Sequence, residues 1–262
     1  MLKLLKYEWK ACARTCLPLY GVLILMSLIS RILYVIPKNA SLDFMLPAIS
    51  SMLYMGVMMA AFVVTAVILI QRFYKNLLGS EGYLMFTLPV TVTQHLLSKT
   101  IIAVVMIALS GIAAFLSIGI FADMSFGTLF VDMIKGVARS GGLLFGLELL
   151  VLAVLGIADM ALFVYMCMAL GHLAGKHRLL MSVVWYVVLS TAVQVLLLLV
   201  MMGVGNAVPQ PFVDLMKVWW SGITPMGAAH LMLRFCCVFT LLSDAVYFLV
   251  TRWILVHKLN LE

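Results

Sequence analysis

Six long apolar runs constrain this chain more than any other feature of its sequence. Each holds about 20 or more residues with few charges, and an α-helix of that length crosses a hydrocarbon core of about 30 Å. We predict membrane-spanning helices at 17–36, 46–71, 100–122, 142–170, 179–204 and 235–255. The sequence therefore predicts an all-α membrane protein in which residues 1–262 form a single transmembrane domain.

The composition excludes a soluble domain. Hydrophobic residues make up 65% of the chain and charged residues 10%, against about 45–50% and 25% in soluble globular proteins. The net charge of +7 does not indicate nucleic-acid binding, because the basic residues lie at the ends of the apolar runs.

The distribution of lysine and arginine predicts the orientation. With both termini in the cytoplasm, the larger set of basic residues lies on the cytoplasmic side, as the positive-inside rule requires. This set is Lys3, Lys6, Lys10, Arg14, Arg72, Lys75, Lys99, Lys176, Arg178, Arg252 and Lys258. The smaller set, on or near the other side, is Arg31, Lys38, Lys135, Arg139, Lys217 and Arg234.

Three segments outside the spans have their own patterns. Residues 1–16 place Lys3, Lys6, Lys10 and Arg14 at helical spacing, which predicts an amphipathic helix in the headgroup layer; a simple charged anchor for the first span explains the charges equally well. Residues 123–141 predict a second interfacial helix. Residues 205–229 are rich in proline and tryptophan and predict short half-inserted helices on the outer side.

The polar interruption at 72–99 differs from a simple connector. It contains Gly79, Ser80 and Gly82, residue types that favour turns. A short apolar stretch then precedes Pro89, formed by Tyr83, Leu84, Met85, Phe86 and Leu88. A loop that only crossed water would need none of these apolar side chains, so a docking surface is indicated, with an interfacial loop anchored by aromatic residues as the alternative.

Several stretches together resemble the membrane subunit of a type-2 ABC exporter. They are LLKYEWKA near the N-terminus, FYKNLLGSEGYLMFTLPVT at 73–91, QHLLSK at 94–99, GHLAGKHR at 171–178 and the closing LNLE. The most specific of them is EGYLMFTLP. The resemblance covers the whole chain in architecture.

The resemblance implies an N-terminal connecting helix, a cytoplasmic coupling helix in the first loop, and short re-entrant helices outside before the last span. The coupling element would be formed or braced by Glu81, Gly82, Tyr83, Leu84, Phe86, Leu88 and Pro89. The coupling element would dock on a cytoplasmic ATPase that is present in two copies. The resemblance also implies that the chain itself lies in a bacterial plasma membrane.

The chain has no GxxxxGK[ST] phosphate loop, so it is not expected to hydrolyse ATP itself. ATP and Mg²⁺ would be bound by the partner ATPase, and no cofactor by this chain. Six spans are few for one translocation path, which favours pairing with a second copy or a homologous permease. Compatible cargoes are amphipathic or hydrophobic: antimicrobial and other peptides, drugs or lipids.

Polar residues inside the predicted spans are candidates for the translocation path, because charge at membrane depth usually faces a bundle interior. Glu148 and Asp159 are eleven residues apart, within about 20° of three full helical turns, and so share one face. Gln194 and Asp244, the latter beside Ser243, are similar candidates. Each carboxyl could instead hydrogen-bond a neighbouring helix, and this packing role is favoured for Glu148.

The remaining polar residues do not indicate a specific functional site. Arg234 could pair with an acid or extend its side chain outward to the interface, and the outward orientation is favoured. His172 and His177 do not share a helical face and no HExxH occurs, so neither a metal site nor an intramembrane protease is favoured. Two other classes stay open: a membrane enzyme acting on a lipid or prenyl substrate through Glu148, Asp159 or Asp244, and a sensor or channel.

Overall fold

The structure is a computed structural model that describes residues 2–35, 45–79, 90–122, 131–132, 135–136, 142–174, 177–207 and 224–258. These residues are helical apart from short turns, and six helices among them are long and apolar enough to cross a membrane. They are α1 (Leu2–Val35), α2 (Met45–Phe73), α3 (Val92–Phe121), α4 (Leu143–His172), α5 (Arg178–Ala207) and α6 (Pro225–His257). A π-helical turn, Tyr74–Leu78, extends α2.

The predicted all-helical class and the six spans are confirmed in this described part of the chain. The N-terminal segment does not end as a separate helix, since α1 continues unbroken from Leu2 through the predicted boundary at residue 17. Pro18 lies inside α1 and removes one backbone donor without ending the helix. The predicted interfacial helix at 123–141 and the half-inserted helices at 205–229 fall largely outside the described residues.

Two helices begin well before their predicted spans. Helix α6 starts at Pro225, where Thr224 is the N-cap and its Oγ1 accepts a hydrogen bond from the Gly227 amide at 3.2 Å. Proline is well suited to this first helical position, because the amide hydrogen that it lacks would be unpaired there. Helix α3 starts at Val92, soon after Pro89. Local capping chemistry, rather than hydropathy, sets the start of α6, whereas Thr91 at the N-cap of α3 makes no side-chain capping hydrogen bond.

The chain forms two compact units, Met1–Arg139 and Ser140–Glu262. In the first unit, α1 packs against both α2 and α3, and α2 also contacts α3. Buried polar side chains join the three helices. The Tyr20 hydroxyl lies 3.2 Å from Thr65 Oγ1 and donates to the Met106 carbonyl at 3.1 Å, while the Tyr54 hydroxyl and Ser117 Oγ are 2.8 Å apart.

In the second unit, α4 packs against both α5 and α6. The Phe163 ring of α4 contacts Tyr186 of α5 and Tyr247 of α6, with both centroid separations at 5.4 Å. Helices α4 and α5 approach closely near the turn that joins them. A Cβ atom added to Gly171 would lie 2.5 Å from the Cα of Ser182 and still closer to its amide nitrogen and Oγ. Only glycine fits there without displacing α5.

Replacing Gly171 by alanine is therefore expected to lower the free energy of unfolding by about 1–3 kcal/mol, the usual range for overpacking. Gly156→Ala is the matched control in the same helix, because nothing lies within 4 Å of a Cβ at Gly156. Thermal unfolding of the two variants in one detergent gives the comparison. Equal midpoints for both variants would show that α4 and α5 do not approach this closely.

Candidate functional site

A buried ion cluster joins the three helices of the first unit. Glu8 of α1 accepts from Lys99 Nζ of α3 at 2.8 Å through Oε1, and from Arg72 Nη1 of α2 at 3.1 Å through Oε2. The Glu8 and Lys99 side chains are 9% and 4% exposed, and the Arg72 side chain is 30% exposed. We call Glu8, Arg72 and Lys99 the Glu8 cluster.

The sequence of α1 explains why a carboxylate lies in this position. Glu8, Cys12 and Cys16 follow one another at intervals of four and form one buried face of the helix, whereas Lys3, Lys6, Lys10 and Arg14 are exposed. A carboxylate on a buried face is stable only when it is paired and hydrogen-bonded. The two cations from α2 and α3 meet this requirement, and the buried cysteines fill the space beside them.

The Glu8 cluster lies close to both ends of the loop between α2 and α3. Arg72 is seven residues before Gly79, and Lys99 is seven residues after Val92, so each lies about two helical turns from the loop. One carboxylate thus ties both supports of the loop to α1. Any force on the loop that moves α2 or α3 also acts on Glu8.

A π-helical turn lies between the cluster and the loop. Tyr74–Leu78 ends at Gly79, where an added Cβ would lie 2.9 Å from the Lys75 carbonyl oxygen. Turns of this type are rare and are frequent at functional sites. The proposed docking residues Glu81, Gly82, Tyr83, Leu84, Phe86, Leu88 and Pro89 lie outside the described residues.

A second polar cluster lies near the first turns of α4 and α6. Glu148 Oε2 is 2.6 Å from His230 Nδ1, and Glu148 Oε1 accepts from Arg234 Nε at 2.8 Å. The Phe145 ring also meets the His230 ring edge to face, with centroids 5.6 Å apart. Glu148 therefore links α4 to α6, which is the arrangement expected of a packing role. Of the two alternatives for Arg234, the structure shows pairing with an acid, Glu148, while the Arg234 side chain stays 67% exposed.

Asp159 and Asp244 lie further along the same two helices. Ser243 Oγ of α6 donates to Asp159 Oδ1 of α4 at 2.7 Å. Asp244 follows Ser243 directly, and its buried Oδ1 has no hydrogen-bond partner among the described residues. Gln194 is on the exposed surface of α5 and does not join them. The structure thus brings together two of the four predicted intramembrane polar residues and leaves Gln194 apart.

Within the described ranges, no group of three or more His, Cys, Asp or Glu side chains could hold a metal ion. His172 is buried at the end of α4, where its Nε2 lies 3.4 Å from Arg178 Nη1. His177, in the turn that follows, has a positive φ of 58°. The two histidines thus lie at different positions of the α4–α5 turn, one at the end of α4 and one just before α5.

Comparison with protein-family profiles, with curated proteins and with solved structures found no match for this chain.

Proposed function

We propose that this chain is the membrane-spanning permease subunit of an ATP-driven exporter, of the type-2 ABC class that its sequence resembles. The single observation that carries the proposal furthest is the Glu8 cluster, in which one buried carboxylate of α1 holds both supports of the loop at 80–89. A connector without a mechanical role has no need of this arrangement, because burying the charged groups of Glu8 and Lys99 carries a large desolvation cost.

In the proposed mechanism, two copies of a cytoplasmic ATPase bind ATP and Mg²⁺ and close on one another. Their closure pushes the coupling element, built around Glu81, Tyr83 and Phe86, against the membrane. Because Arg72 and Lys99 both bind Glu8, α1, α2 and α3 respond as one body. A second permease, identical or homologous, completes the path for an amphipathic or hydrophobic cargo such as a peptide, drug or lipid.

Purification from the native membrane tests the proposal. The chain carrying an affinity tag is extracted in mild detergent, and the eluate is assayed for ATP hydrolysis and for stoichiometric co-purifying subunits. We expect a soluble ATPase that is depleted when Glu81→Lys and Tyr83→Ala are combined. An eluate of the permease alone, without ATP hydrolysis, would overturn the proposal.

A second candidate function is a membrane enzyme acting on a lipid or prenyl substrate. It is favoured by one observation, that Ser243 of α6 donates to Asp159 of α4 while the next residue, Asp244, has a buried Oδ1 with no hydrogen-bond partner among the described residues. Carboxylates in such surroundings can act as general acids or bases. If the purified chain contains no ATPase, lipid-conversion assays on Asp159→Asn and Asp244→Asn variants decide this case, and unchanged conversion in both excludes it.

The proposed orientation gives a separate prediction. Tyr7 and Tyr34 lie near opposite ends of α1 and are 72% and 67% exposed. In a chain with Cys236 and Cys237 replaced by serine, Tyr34→Cys should react with a membrane-impermeant maleimide in intact cells. Tyr7→Cys should react only after permeabilisation. The reverse pattern would place the N-terminus, and with it the loop at 80–89, outside the cytoplasm.

A further inference from the structure

The last two turns of α6 carry an open face with a groove of about 670 Å³. Six residues line it: Leu249, Val250, Arg252, Trp253, Val256 and His257. At 100° per residue they cover one side of the helix. The opposite side is closed, since Thr251, Ile254 and Leu255 are at most 4% exposed, whereas Leu249, Trp253 and Val256 are more than half exposed. We call the six lining residues the α6 groove.

Basic groups surround the aromatic centre of the α6 groove. Lys258 Nζ lies 5.9 Å from the centre of the Trp253 ring, within cation–π range. The His257 ring stacks on the same indole at a centroid distance of 6.0 Å. Arg252 is exposed, and neither it nor Lys258 forms an ion pair with a described acid. Asp244 is the nearest described acid within α6, eight residues from Arg252, or about 12 Å along the axis.

Capping of the helix explains only part of this arrangement. His257 Nδ1 lies 3.3 Å from the Trp253 carbonyl oxygen, so His257 does serve the end of α6. Lys258 also follows the last helical turn, where a positive charge is favourable. Neither capping role involves Arg252, which lies further from the helix end, or the apolar wall formed by Leu249, Val250 and Val256.

We propose that the α6 groove binds one anionic phospholipid. The phosphate would lie between Arg252 and Lys258, and an acyl chain would cover the apolar wall. A groove of about 670 Å³ falls inside the about 300–1,000 Å³ typical of small-molecule sites. A free phosphate would leave the apolar wall uncovered, and a zwitterionic lipid would bring its own cation towards two cations. This inference does not rest on the proposed transport function.

Native mass spectrometry tests the inference directly. The full chain, purified in detergent, is mixed with equal amounts of phosphatidylglycerol and phosphatidylcholine of the same acyl length, and the retained lipid is counted. Wild type is expected to retain phosphatidylglycerol preferentially. Removal of both charges in Arg252→Gln/Lys258→Gln should lower that preference at least about tenfold, because the phosphate in the α6 groove would lose both of its cationic partners.

The matched control is Lys6→Gln/Lys10→Gln, which removes two exposed cations from α1. This control should retain the wild-type lipid preference, and thermal unfolding of both double variants verifies that each is folded. Two outcomes overturn the inference. One is an equal loss of lipid preference in both double variants. The other is a change in subunit stoichiometry without a change in lipid in the α6 variant, which would mean that a second copy of the chain covers the groove.

Discussion

Replacing Glu8 by glutamine is expected to lower the free energy of unfolding by about 3–5 kcal/mol, the range found when one partner of a buried ion pair is removed. Glutamine keeps the shape of the side chain but not its charge. The Lys99 ammonium, with a side chain 4% exposed, then loses the carboxylate 2.8 Å away. Denaturant unfolding in mixed micelles, followed by tryptophan fluorescence, gives the free-energy difference.

A double-mutant cycle shows whether this loss comes from the charge pair. Lys99→Met removes the cation, and the Glu8→Gln/Lys99→Met pair should be less destabilised than the sum of the single variants, because no buried charge of that pair remains. Lys10→Gln, on the exposed side of α1, is the control and should change stability by less than about 0.5 kcal/mol. Additive effects in the cycle would contradict a direct Glu8–Lys99 interaction.

Much of the architecture could be predicted from hydropathy, because a membrane span must be an apolar helix of fixed minimum length. Helix ends were less predictable. The Thr224–Pro225 pair starts α6 ten residues before the apolar run at 235–255 becomes continuous. In α1, by contrast, the sequence predicted a helix boundary that the structure does not have. Its basic N-terminal segment differs in composition from its apolar segment, yet the helix continues through residues 16–17 despite the backbone donor that Pro18 lacks.

The candidate site could be predicted from the sequence less well than the fold could. Glu8 was not among the predicted residues, because the strongest pattern in residues 1–16 is the helical spacing of their four basic residues. The signal that could have identified it is a single acid in register with Cys12 and Cys16. Its partners could not be found this way, because the spacing of residues within one helix gives no contacts between helices. For the same reason, the sequence did not identify Glu148 as the acid that pairs with Arg234.

The Glu8 cluster also affects how a mutation in the loop should be interpreted. Arg72 and Lys99 tie α2 and α3 to α1 independently of residues 80–89. Changes at the tip of the loop should therefore leave the three-helix unit folded. This separation makes it possible to test docking at the loop without disrupting the membrane domain. Loss of Glu8, in contrast, is expected to affect stability and coupling together.

Glu81→Lys and Tyr83→Ala, made separately, are each expected to reduce cargo transport at least tenfold, roughly the effect of losing 1.4 kcal/mol of coupling energy. ATP hydrolysis by the bound ATPase should continue. In the proposed interface, Glu81→Lys reverses a charge, and Tyr83→Ala removes a ring that buries about 150–250 Å². Inside-out vesicles provide both measurements, with a fluorescent amphipathic antimicrobial peptide as the transported probe and phosphate release as the measure of hydrolysis.

Membrane insertion should be unchanged in both variants, because neither substitution touches any of the six apolar helices. Tyr34→Ala is the matched control for Tyr83→Ala, since it removes an exposed tyrosine at the other end of α1 and should transport the probe at the wild-type rate. Low transport together with normal insertion and continued hydrolysis locates the defect between the ATPase and the membrane helices. Normal transport in both loop variants would mean that the loop at 72–99 does not contain the coupling element.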